Sequence, residues 1–369
     1  MQGITARCWA SVFVAVWLAV GCGPSATPPA ASAPSAAGSG GSAAAAGTAD
    51  SWDNVVERAR REGQVSILSN PGHRAFMEHA IPAFEQQYGI KVDIAYTNGR
   101  ETTERVMAEV GAAQVRTDVA GGGDTNVFEL VQNDAVEAYA VPNADGIAAA
   151  VREKIGPGNT YYPTMLVTYA LLANTQAIPP DRLPRRWADL TDPYYKGKIV
   201  IHNPATNGGG NTWLAGASED PSLGRPYLEK IAQQDLLVSQ DPATVEATVA
   251  RGERGIGLPG VGRAVVTQAG APIKWIIPEE GVVYSVDVDA VPRGAPHPNA
   301  ARVWVNFILS PEAQAWWHPN GRYTPVRIDV EVAEPEYLLS NLKLLGTHGT
   351  RAPQDVPKWL DLGKSIFGR

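Results

Sequence analysis

"QVSILSNPGHRAFMEHAIPAFEQQYGIKVDIAY", residues 64–96, reads as strand, helix and strand in quick succession. "QVSILS" has the length and composition of a short strand. "HRAFMEHAIPAFEQQYG" has a helical spread of apolar residues and stops at Gly89, with Pro82 permitting a kink or a boundary inside it. "IKVDIAY" alternates as a strand does. The rhythm extends both ways. Upstream, "SWDNVVERARREG" puts Trp52, Val55, Val56 and Ala59 on one helical face, with Ser51 or Asp53 to cap it. Downstream, "RETTERVMAEVGA" is an amphipathic helix and "TDVAGGG" a strand that runs into a glycine loop. Such alternation with short connections implies an α/β chain whose mostly parallel sheet is covered on both faces.

The same pattern recurs further along. "MLVTYALLAN", "GKIVIHNP", "RGIGLPG" and "PIKWIIPEEG" supply strands. "PSLGRPYLEKIAQQ", "ATVEATVARGE" and "NAARVWVNFILSPEAQAWWHPNG" supply helices, the last broken near Pro311, and "PEYLLSNLKLLG" gives one more in an irregular tail. With 369 residues the chain has room for two such sheets, each with its own core. A net charge of -7 gives no reason to expect a nucleic-acid partner, which requires concentrated basic surface.

Residues 1–22 read as an export signal: Arg7, then the apolar run "CWASVFVAVWLAV", too short for a comfortable membrane span, then "LAVGC". This resembles a lipoprotein signal with Cys22 as the lipidated first residue of the mature chain, although Ala19 stands where leucine is usual. The two cysteines are Cys8 and Cys22, so processing leaves no internal disulfide and no cysteine-based site. Residues 23–50, rich in Ala, Gly, Ser and Pro, read as a flexible tether. The chain's contact with a membrane is then through its lipid anchor alone.

Three glycine-rich turns follow strands: "SNPGHR", "GGGDTN" and "NPATNGGGNT". Ligands in open α/β sheets bind at the carboxyl ends of strands, where glycines admit close backbone approach.

Several stretches, in order, resemble the solute-binding proteins of ABC importers, specifically the ferric-iron-type branch of the extracellular solute-binding family. They are "ARREGQVSILSN", "AFEQQYGIKVDI", "ERVMAEVGAAQVRTDVAGGG", "WADLTDPYYKGKIVIHNPA", "GAPIKWIIPEEG", "VPRGAPHPNAARVWVNFILSPEAQ" and "GRYTPVR". The resemblance implies a two-lobed type II periplasmic binding protein that closes on its ligand, works as a monomer outside the cytoplasm, uses no cofactor and delivers cargo to a permease with its ATPase. It places lobe one at 51–160 plus 285–315 and lobe two at 165–283 plus 320–369.

Iron-binding members supply an adjacent tyrosine pair near Val261–Ala264, where this chain reads "VGRA", and residues 260–281 contain no Tyr, His or Cys. Ala173 stands where another tyrosine is usual, and the pairs Tyr161–Tyr162 and Tyr194–Tyr195 fall elsewhere. A small organic, anionic solute suits the loops better than a metal. Ser69, Asn70, Thr125, Thr164, Thr206, Asn207 and Thr212 offer neutral partners, and amides near Gly122, Gly123, Gly208 and Gly209 suit an acidic group. His73, Arg74, Arg100 and Arg263 are candidates to neutralise charge, or are solvated surface. Tyr161, Tyr162, Trp213 and Tyr284 are candidates for an apolar wall, or are lobe packing.

Catalysis is the rival class, with Ser69, His73 and Asp118 as a possible triad. No Gly-x-Ser-x-Gly turn is present, and His202 and His297 lack zinc spacing. A receptor-coupled sensory or scaffold lipoprotein would share the fold.

Overall fold

The computed structural model describes residues 51–262, 269–319, 323–332, 334, 335, 338–346 and 351–368. The export signal with Cys22, the tether and Arg263 lie outside the described residues.

The chain opens with α1 (Trp52–Glu62), capped by the Ser51 side chain and ended by Gly63 at positive φ. There follow β1 (Gln64–Ser69), α2 (Arg74–Tyr88), β2 (Lys91–Tyr96), α3 (Gly99–Gly111), β3 (Val119–Gly123), α4 (Asp124–Gln132) and α5 (Ala149–Arg152). Pro82 is accommodated inside one continuous helix. Next come β4 (Tyr161–Asn174), β5 (Ile199–His202), α6 (Gly209–Glu219), α7 (Gly224–Ala232), β6 (Leu237–Ser239), α8 (Pro242–Ala250), β7 (Ile256–Val261), β8 (Ile273–Ile276) and β9 (Val283–Ala290). Among the described residues there follow the α-helices α9 (Pro298–Ile308), α10 (Pro311–Trp317) and α11 (Val356–Phe367). Among the described residues of "PEYLLSNLKLLG", where a helix was expected, Leu339–Asn341 form a 3-10 turn, and an α-helix of the tail lies further on, in α11.

The described strands form one path, β2-β1-β3-β9-β4-β7-β5-β6, with β8 against β4. β1 is parallel to β2 and β3, and β5 is parallel to β6 and β7, as the βαβ rhythm requires. β4 and β9 break the pattern. They run antiparallel to each other from Tyr161 to Tyr169, β9 joins β3, and β4 continues to β7 and β8. The sheet is therefore mixed where mostly parallel sheets were expected, because the two halves share these strands.

At about 3.3 Å per residue, the 14 residues of β4 reach roughly 45 Å, enough to traverse two cores. One core gathers β1, β3 and α1–α4 with Leu166, Val286, Trp304 and Trp317. Another gathers Ile199, Ile201, Trp187, Trp213, Leu214 and Val261. Val167 packs against both. The packing divides the tail, which was expected to belong wholly to lobe two. Tyr323, Val326 and Leu339 join the first core, while Leu345, Trp359 and Ile366 join the second.

Because side chains alternate across a strand, β9 points Tyr284, Val286 and Val288 into the first core and Ser285, Asp287 and Asp289 to the other face. Gly121 leaves room for the Asp289 carboxylate, which lies 2.7 Å from where a Cβ would stand. Burial, with Asp287 adding to it and His73 opposing, pushes that carboxyl up to about 7.

Two outcomes follow from this packing. A Cβ at Gly363 of α11 would meet the Pro204 carbonyl at 2.2 Å, so Gly363→Ala should destabilise the protein by about 1–3 kcal/mol in urea unfolding. An unchanged midpoint would show that α11 does not brace the loop after β5. Asp289 keeps its proton in the folded chain up to about 7 and loses it near 3.8 when unfolded, so its contribution to stability falls as pH rises between those values. Asp289→Asn should therefore gain on the parent protein by roughly 1–3 kcal/mol between pH 4 and pH 7.5. An equal difference at the two pH values would contradict this.

Candidate ligand cleft

The ends of β1, β3 and β5 meet β4 and β9 around two adjoining cavities. One, of about 170 Å³, is lined by Asn70, Gly123, Asp124, Thr125, Asn126, Tyr169, Asn207, Gly208, Thr212, Ser285, Asp287 and Arg351, together with Gly99. The other, of about 140 Å³, shares Asn70, Tyr169, Ser285 and Asp287 and adds His73, Met165, Val167, His202, Gly209 and Tyr323 among its walls. The strand alternation explains this lining: Met165, Val167 and Tyr169 are successive same-face residues of β4, as Ser285 and Asp287 are of β9. The Tyr169 hydroxyl and Ser285 Oγ lie 3.0 Å apart and tie the two strands inside the cleft.

On the first wall, Asn70 turns the chain after β1 by accepting from the Gly72 amide at 2.8 Å. His73 is held on both ring nitrogens, with Nδ1 3.1 Å from Ser69 Oγ and Nε2 2.9 Å from Asp287 Oδ2. Trp317 and Tyr323 stand edge-on to its ring. A histidine so engaged positions Asp287 and is not a free neutralising charge. Ser69 is buried and lines neither cavity, so this Ser–His–Asp arrangement presents no nucleophile to a ligand. Asp118, the expected third member, instead receives the Ser66 and His297 amides and faces the His297 ring.

On the second wall, Gly208 adopts φ 143°, and a Cβ there would lie 2.8 Å from the His202 ring. His202 Nδ1 accepts from the Gly210 amide at 3.3 Å, which caps the start of α6, and burial lowers the pKa of the imidazole. Asn207 bridges the walls. Its amide donates to Thr125 Oγ1 at 3.3 Å, and its carbonyl oxygen accepts from Arg351 Nη2.

Arg351 is the residue that the loops alone did not reveal. It is only 6% exposed. Its Nε donates to Thr212 Oγ1 at 3.1 Å, whereas Nη1 is buried without a hydrogen-bond partner. Burial pushes its pKa down, opposed by Asp124 and Tyr169. It also lines a neighbouring cavity of about 460 Å³ with Asp124, Lys154, Tyr161 and Trp359.

Other expected residues are placed elsewhere. Arg74 is exposed and stacks over Tyr96 at 4.1 Å, and Arg100 pairs with Glu104 and lines an adjacent cavity of about 800 Å³ that also touches Asn126 and Asn207. Trp213 and Tyr284 are core residues, not cleft walls, because α6 is buried along most of its length and Tyr284 lies on the inward face of β9. Tyr162 donates to the Tyr139 carbonyl at 2.6 Å inside the first core, and Tyr161 faces the neighbouring cavity with its hydroxyl pushed up to about 12 by burial. Thr164 donates to the Asp287 carbonyl, Thr206 donates to the Asn203 carbonyl, and Gly122 is a paired strand residue.

The description "bacterial extracellular solute-binding protein" matches residues 123–347. A Haemophilus influenzae protein without an assigned function is 25% identical over 73% of this chain and 80% of its own. A Salmonella typhimurium protein provisionally named as a 2-aminoethylphosphonate-binding periplasmic protein is 22% identical over 87% and 92%. The periplasmic binding protein AfuA of Actinobacillus pleuropneumoniae, solved with exogenous fructose-6-phosphate bound, superposes with a TM-score of 0.68 at 24% identity, covering 83% of this chain and all but 1% of that one (99%). Iron-bound HitA of Pseudomonas aeruginosa gives 0.67 at 17% identity, covering 82% and 99%. These superpositions show the two-lobed type II periplasmic binding protein fold. With more than half its length matched, the chain belongs to the bacterial extracellular solute-binding proteins, which bind and carry solute and catalyse no reaction.

Proposed function

We propose that this protein is the solute-binding component of an ABC importer, closing two lobes on a small organic anion and handing it to a permease with its ATPase. The lobes are the two cores joined by β4 and β9, and their closure is registered by the Thr125–Asn207–Arg351–Thr212 chain across the cleft.

The observation that carries the reading is Arg351. A buried guanidinium nitrogen without a partner costs about 1–3 kcal/mol, and more if charged groups are involved. A carboxylate, phosphate or phosphonate beside it would supply the missing acceptor in fork geometry. The provisional name of the Salmonella relative and the sugar phosphate in the Actinobacillus protein both concern organic phosphorus anions, which supports the same class. Ferric iron fits less well, despite iron-bound neighbours of this fold. Iron favours phenolate and carboxylate oxygen, but Tyr162 and Tyr195 spend their hydroxyls on backbone carbonyls. Among the described residues, no group of three or more His, Cys, Asp or Glu is placed to hold a metal.

In this reading Cys22 carries the lipid, residues 23–50 form the tether, and the folded body works on the extracytoplasmic side, as is usual for the family.

A thermal-shift panel of 2-aminoethylphosphonate, sugar phosphates, small carboxylates and ferric citrate tests the solute class. At least one organic anion should raise the melting temperature. Arg351→Ala should weaken that binding about 30- to 1,000-fold, corresponding to roughly 2–4 kcal/mol for truncating one partner of a buried charge pair. Stoichiometric iron with a phenolate charge-transfer band, or unchanged affinity in the variant, would contradict the proposal. Mass spectrometry of the membrane-associated protein should find a diacylglyceryl group on an N-terminal Cys22, and an unmodified Cys22 would refute the anchor.

A further inference from the structure

Arg351 is not the only charge around the cleft. The cavity of about 170 Å³ that it lines is also lined by Asp124 and Asp287, 6% and 7% exposed. Asp287 gives one oxygen to His73, while Oδ1 lies on the side of Gly123, 3.9 Å from where a Cβ there would stand. Asp124 sits in the first turn of α4. The guanidinium directs its hydrogen bonds to Thr212 and Asn207 and not to this carboxylate. Burial pushes the Asp124 carboxyl up to about 7 against the pull of Arg351 and Lys154, and Asp287 adds to the rise.

This lining poses a conflict for a ligand that carries negative charge alone. Its acidic group satisfies Arg351 but competes for that cation with Asp124, whose buried carboxyl already resists ionisation, and stands in a space that Asp287 also borders. A ligand with an ammonium group beyond its acidic group removes the conflict, because the same carboxylates become its partners.

We propose that the solute is a zwitterion, with its acidic group on the partnerless nitrogen of Arg351 and its ammonium group on Asp124 and Asp287. This rests on the organic-anion reading above and narrows it to amino acids of the ω-amino phosphonate, phosphate, sulfonate or carboxylate type. Asp124 and Asp287 are then specificity-determining residues, since they separate a zwitterion from its amine-free analogue.

Titration calorimetry with pairs that differ only in the amine tests this on the full chain: phosphoethanolamine against ethyl phosphate, taurine against ethanesulfonate, and β-alanine against propionate. In at least one pair the amine-bearing member should bind tenfold or more tightly than its analogue. Asp124→Asn and, separately, Asp287→Asn should reduce that preference to threefold or less. Each variant's cooperative melting establishes that it folds, and the second variant keeps the test open if the first does not. Equal binding of the two members, with loss of both in Arg351→Ala, overturns the zwitterion and leaves the organic-anion reading intact. Binding by neither member of any pair, or a preference that survives both asparagine variants, overturns the inference, and in the first case the reading beneath it as well.

Discussion

The antiparallel pairing of β4 with β9 is the constraint on which the cleft depends. Both strands run through two hydrophobic cores, and their register from Tyr161 to Tyr169 decides which side chains face the gap. Because the side-chain period is two, a slip of one residue would bury Ser285 and Asp287 and expose Tyr284 and Val286. The bond between the Tyr169 and Ser285 hydroxyls and the pairing of Asp287 with His73 exist only in the observed register. The same strands that join the halves thus furnish the floor of the cleft.

On that floor the two halves contribute unlike chemistry. The first brings carboxylates, Asp287 on β9 and Asp124 at the head of α4. The second brings Asn207, Thr212 and the guanidinium of Arg351, which the tail delivers beside α6. The tail is itself secured by Trp359 and Ile366 in the second core, and by Gly363 lying against the loop that follows β5. A capture device of this kind need not perform chemistry. In the proposed reading it needs opposing groups that remain unsatisfied until cargo arrives, a part that Arg351 Nη1, buried without a hydrogen-bond partner, suits.

Much of this was legible in the sequence. Turn residues after short apolar strands mark Asn70, Gly123, Thr125, Asn207 and Thr212, because strand ends and glycine turns obey local rules. What local rules do not carry is which aromatic is core: Trp213, Tyr162 and Tyr284 lie in elements buried on more than one side, where composition alone does not separate wall from filling. The polar face of β9 could have been found, since "YSVDVDA" sets Ser285, Asp287 and Asp289 two apart. So could α11, where Trp359, Leu362 and Ile366 share a helical face after Pro357. Arg351 had no such signal. It reaches the cleft from an irregular segment by a long-range return of the chain, which no window of sequence displays.

The organisation explains how related proteins can share a fold and differ in cargo. The crossing strands and the two cores set the gap, and a few side chains at its rim decide its chemistry. Native mass spectrometry of the protein as isolated from its own cells tests the central claim most directly. The account predicts a non-covalent complex with one small organic molecule that bears both an acidic group and an amine. A complex with ferric iron, or with a polyamine that has no acidic group to meet Arg351, would contradict it.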